Sequence, residues 1–124
     1  MFSDVLFVDE YCRKHFKKIK KTIEKRKESP IYYVLELSTV TGRLEFYESK
    51  YYIQGYYDKA DPYIVGLAQN CEHAVMITEE IISRCLSNGL DLNFVKYFDE
   101  ICRNQKENRT KFLVVNKQIE VEKG

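Results

Sequence analysis

The sequence predicts an α+β fold, with one antiparallel β-meander of about four to five strands packed against helices. Two observations predict it. The apolar period is near 3.6 over residues 3–28, drops to about 2 over residues 31–68, and returns to 3.6 over residues 71–104. Short turn signals separate the period-2 runs, which is how consecutive antiparallel strands are joined. The expected order is α-β-β-β-β-α-α-β.

Residues 3–28 read as one long helix. Val5, Val8, Cys12, Phe16, Ile19 and Ile23 recur at spacings of three and four and form one apolar stripe. Ser3 is the expected N-cap, with Asp4 in the first turn, where the helix dipole favours an anion. Ser29 and Pro30 end the helix, because a residue before proline avoids the α region. The meander follows: IYYVLEL (31–37), RLEFYE (43–48), YYIQGYY (51–57) and YIVGLA (63–68). Gly55 and Gly66 inside these strands mark a bulge or a close approach. Asn70 is the expected N-cap of a helix over 71–87, in which Ala74, Ile77, Ile81 and Cys85 share a stripe. Asn88 and Gly89 stop it. A helix over 92–104 turns Phe94, Phe98, Ile101 and Cys102 inward, and residues 111–121 form a last strand or a hairpin.

A chain of 124 residues, 44% hydrophobic and 31% charged, fits a single domain over 1–124. That length buries roughly two-thirds of the unfolded surface, so neither a disulfide nor a metal is needed for folding. No run approaches the ~20 apolar residues of a membrane span. The N-terminal residues lack the charged-then-apolar order of a signal peptide. A cytoplasmic location is expected, with Cys12, Cys71, Cys85 and Cys102 as thiols.

Charge is concentrated in one place. Residues 13–27 hold nine Lys/Arg against one acid, Glu24, a net +8, while the whole chain is +1; the remainder therefore carries −7. Lys14, Lys17, Lys18, Lys21 and Lys25 lie opposite the apolar stripe and form a candidate binding face. Such a face neutralises phosphates or meets an acidic protein. A plain solvated surface is the simpler account, since lysine and arginine are good helix formers.

The meander is rich in tyrosine. Alternation puts Tyr32, Tyr47, Tyr52 and Tyr56 on the face opposite Tyr33, Leu35, Leu37, Leu44, Phe46 and Ile53. An aromatic sheet face can stack bases or contact a protein. Tyrosine also simply suits a half-buried pleated surface.

Chemistry-bearing motifs are sparse. Cys12, His15, Cys71 and His73 contain the donor types of a zinc site but lack its spacing, so no metal or other cofactor is expected. Asp58 and Asp61, placed near His73, would suit a small hydrolase-type cleft; turn chemistry explains the two aspartates without it. No glycine-rich phosphate loop is present, and no small-molecule ligand is evident. The sequence therefore points to a non-enzymatic binding or regulatory protein acting through protein–protein contacts, including self-association. Nucleic-acid binding through the basic face is the alternative, and the hydrolase-type cleft is a second one.

Overall fold

A computed structural model describes residues 1–25, 32–50, 63–105 and 109–116. Its elements run β1 (Phe2–Val8), α1 (Glu10–Lys14), α2 (Phe16–Lys25), β2 (Tyr33–Leu37), β3 (Leu44–Glu48), β4 (Ile64–Ala68), α3 (Cys71–Ser87), α4 (Phe94–Arg103) and β5 (Lys111–Val114). The five strands form one sheet in the order β3-β2-β4-β1-β5. β1 is parallel to both β4 and β5, whereas β2 is antiparallel to β3 and β4.

The α+β expectation holds at the level of one sheet with helices, but two finer expectations do not. The sheet is mixed, so it is not an antiparallel meander. Where one helix is expected over 3–28, the described residues up to Lys25 form a strand followed by two helices, and residues 26–28 lie outside the described residues. Val5, Leu6, Phe7 and Val8 are all buried. A strand covered on both faces reads as a continuous apolar run, and a run of four fits a helical stripe equally well. Asp9 ends that strand and caps α1: its side chain accepts a hydrogen bond from the Cys12 N–H at 2.8 Å. Ser3, the expected cap, is buried inside β1 instead, and its hydroxyl accepts from the Tyr63 hydroxyl at 3.1 Å.

Helices cover both faces of the sheet. On one face Cys12, Ile19, Phe16 and Ile23 of α1 and α2 pack against Leu6, Val8, Val34, Tyr32, Ile64 and Leu67. On the other, Ala74, Ile77, Ile81 and Cys85 of α3, with Tyr97 and Phe98 of α4, cover Phe7, Leu35, Leu37, Val65 and Ala68. The expected sorting of β2 and β3 is present: Val34, Tyr32 and Tyr47 belong to the first cluster, and Tyr33, Leu35, Leu37, Leu44 and Phe46 to the second. α3 runs over the expected 71–87 with Asn70 as its cap, and α4 lies within 92–104. The expected strand over 51–57 and residues 117–121 of the last one lie outside the described residues. No helix among the described residues is long and apolar enough to cross a membrane.

Gly66 explains how β4 serves both faces. Leu35 pairs with Gly66 but Glu36 pairs with Ile64, so β4 carries an extra residue there. The alternation shifts as a result: Ile64 and Leu67 face one cluster, Val65 and Ala68 the other. A Cβ at position 66 would sit 3.1 Å from the Phe7 carbonyl oxygen and 3.2 Å from Leu35 Cβ. Gly66→Ala is therefore expected to destabilise the fold by about 1–3 kcal/mol, the usual cost of overpacking. A lowered urea midpoint with an unchanged m-value would show it.

Candidate functional site

Three parallel strands end side by side. Val8 of β1 is level with Leu67 of β4 and Val114 of β5. Beyond these ends lies a cleft of about 550 Å³, whose walls include Asp9, Lys14, His15, Gln69, His73 and Asn116. From β1 the chain leaves into α1 and α2 on one face; from β4 it leaves into α3 on the other. A crevice at the carboxyl ends of parallel strands, where the chain departs in opposite directions, is the usual ligand position in open α/β sheets.

Asp9 organises the cleft floor. Its side chain is 2% exposed. One carboxylate oxygen accepts from the Cys12 N–H at 2.8 Å. The other accepts from the Gln69 N–H at 2.7 Å and meets His73 Nδ1 at 2.8 Å. Burial pushes the Asp9 carboxyl up, but the hydrogen bonds from Gln69, Cys12 and His73 outweigh it and hold the group below its ordinary value. The carboxylate can only accept, so His73 Nδ1 carries the proton. That leaves Nε2 as the ring's other functional atom: a lone pair when the ring is neutral, a donor when it is charged. His73 is set in place from behind by the Asn70 side chain, which accepts from the His73 N–H at 2.8 Å.

A second imidazole lines the same cleft. His15 Nδ1 donates to the Tyr11 carbonyl at 2.9 Å, and its ring stacks on that of Tyr11 with centroids 4.3 Å apart. Lys14 lies between these two residues in sequence and contributes a cation to the wall. A second hollow, of about 430 Å³, lies at the opposite end of the sheet beside Tyr63 and Phe98, and no imidazole or thiol lines it.

The expected site residues are distributed as follows. Lys14, Lys17, Lys18, Lys21 and Lys25 are all exposed, as are Arg13 and Lys20. Their helix is seated by Phe16, which meets Phe2 and Phe112 edge-on at 5.5 and 4.9 Å. The Arg13 guanidinium lies 4.2 Å from the Phe112 ring centroid, so its stem lies against the sheet edge. Tyr32 is 4% exposed, beneath α2, so it has almost no surface to offer. Tyr47 is half-buried and its hydroxyl donates to Glu45 at 2.7 Å. Tyr52, Tyr56, Asp58 and Asp61 lie outside the described residues.

His15 and His73 share the cleft, but Cys12 is buried and Cys71 is exposed. Among the described residues, no group of three or more His, Cys, Asp or Glu is placed to hold a metal ion. Burial, reinforced by the Asp9 charge, pushes the Cys12 thiol up; burial and Asp91 do the same to Cys85. Both stay protonated and poorly nucleophilic.

Sequence reasoning singled out His73 but missed Asp9. The available signal was the junction VLFVDEYC: an apolar run, then an N-capping residue, then an acid in the first turn. The chain matches no protein-family model, no curated protein and no solved structure.

Proposed function

We propose that this protein binds nucleic acid through the basic face of α1 and α2. The supporting observation is the seven exposed cations between Arg13 and Lys25, displayed on helices whose other side is packed against the sheet. That packing fixes the helix positions from which the cations extend, which suits contact with a row of phosphates. Counterion release then supplies the affinity.

A protein partner, including a second copy of this chain, competes for the same surface. Protein interfaces have apolar or aromatic centres and are depleted in lysine. From Lys17 to Lys25, the exposed positions are Lys17, Lys18, Lys20, Lys21, Glu24 and Lys25, with no apolar side chain among them. That composition favours a phosphate backbone over a protein surface.

The test is fluorescence anisotropy with labelled single-stranded RNA and duplex DNA across a salt series. Log affinity is expected to fall linearly with log salt. Replacing Lys17, Lys18, Lys21 and Lys25 with alanine should make the slope shallower by about 3–4, roughly one per lost phosphate contact. Absence of binding at low salt, or a slope indifferent to the four substitutions, overturns the proposal. Binding to an acidic polypeptide in place of nucleic acid would transfer this surface to a protein partner.

A further inference from the structure

We infer that the cleft at the carboxyl ends of β1, β4 and β5 is a nucleotide site, with the phosphate taken by Lys14 and His73 and the base by the Tyr11–His15 stack. The inference stands on the cleft itself and does not need the basic face to bind a strand.

Size comes first. About 550 Å³ falls within the 300–1,000 Å³ of small-molecule sites and is far larger than a bare ion requires. Its chemistry is divided. Lys14 and, with its ring charged, His73 give a phosphate two nitrogen donors from different elements, α1 and α3. The Asp9 charge does not oppose this. It is already met by two backbone N–H groups and by His73 Nδ1, so it presents the imidazole with Nε2 left for a ligand. A phosphate oxygen at Nε2 of the charged ring completes an Asp9–His73–phosphate chain in which each donor has an acceptor.

The aromatic half is the second observation. Tyr11 and His15 lie one helical turn apart and stack with an interplanar angle of 27°. Tyr11 is 37% exposed, so part of this π surface is open to solvent. A base laid on it extends an existing stack, and aromatic stacking is tolerant of base identity. Gln69 and Asn116, also in the wall, carry side-chain amides with both a donor and an acceptor for a base edge. Glu10 lines the cleft as well. As an acceptor it suits a ribose hydroxyl or a base amino group and disfavours a second phosphate beside it. The fitted ligand is therefore a nucleoside monophosphate, either free or as one unit of a strand.

The imidazole NMR signals of His15 and His73 provide the readout. The probes are the four common ribonucleoside 5′-monophosphates, adenosine, inorganic phosphate and a short oligoribonucleotide. A monophosphate is expected to shift both imidazoles saturably at millimolar concentration. Adenosine should move His15 alone, and phosphate His73 alone, each more weakly. His73→Ala should lower monophosphate affinity about tenfold, the value of one hydrogen bond to a charged group. Tyr11 is exposed, so Tyr11→Ala keeps the fold testable if His73→Ala does not, and it should lower affinity similarly.

The sources separate in a Lys17, Lys18, Lys21 and Lys25 to alanine variant. A free nucleotide binds it unchanged, whereas a strand unit requires those lysines and shifts the imidazoles only as the oligonucleotide. Failure of every monophosphate and of the oligonucleotide to move either imidazole overturns the inference. So does unchanged binding in both His73→Ala and Tyr11→Ala. The basic-face proposal is judged by the salt slope of strand binding, so the two fail separately.

Discussion

Asp9→Ala is expected to lower stability by about 3–6 kcal/mol, the loss of two hydrogen bonds from backbone N–H groups to a buried carboxylate. Asp9 is the acceptor for three donors from two chain junctions, one after β1 and one after β4. Alanine leaves the Cys12 and Gln69 N–H groups without that acceptor, and each hydrogen bond to a charged group is worth about 1.5–3 kcal/mol. Urea unfolding of the two proteins measures the difference directly. Asp9→Asn keeps one carbonyl acceptor and should cost less.

The same carboxylate gives the stability a pH dependence of known sign. Its folded value lies below the ordinary 3.8. Its contribution is therefore complete above the unfolded value and is lost as pH falls through the lowered folded one. Asp9→Asn has no group to protonate there, so the gap between the two proteins should narrow as pH falls from the unfolded value to the lowered folded one. A gap that stays constant or widens would mean that Asp9 is not the ionised acceptor described above.

Phe98→Ala is expected to cost about 3–5 kcal/mol, as for other large aromatic truncations in a core. Phe98 is 1% exposed and meets Phe7 of β1 edge-on at 5.8 Å and Tyr97 at 5.4 Å. It joins α4 to β1, and the cavity left behind is bounded by sheet and helix, so it cannot collapse easily. Phe98→Leu retains much of the volume and should cost distinctly less. Equal losses in the two variants would show that the site relaxes around either.

The sequence was most legible where period and punctuation agreed. α3 has an asparagine cap, a stripe from Ala74 to Cys85 and an Asn88–Gly89 stop, and its bounds follow from these. β2 and β3 alternate cleanly, so the faces of Tyr32 and Tyr33 were readable before their neighbours were known. β1 was not readable, because Val5 and Val8 sit at helical spacing ahead of a genuine helix with the same phase. Parallel pairing has no local mark either: β1 meets β4 and β5 only through crossovers set by tertiary packing. The site shares that obscurity. Asp9 and His73 are 64 positions apart, and only the strand order brings the end of β1 beside the start of α3.

The place of β1 in the strand order also bears on how the chain folds. It is the first strand in sequence, yet its neighbours are residues 64–68 and 111–114. On a ribosome its apolar segment emerges before either neighbour and finds the second only after β4, α3 and α4 have been made. Until then, the described elements next to it in sequence are α1 and α2, and lysine repulsion weakens these helices while they are unpacked. The fold is thus weighted toward distant contacts, which slow folding and leave an unpaired hydrophobic edge exposed meanwhile. A strand with four consecutive buried residues in the finished protein is the one that synthesis leaves longest without its partners.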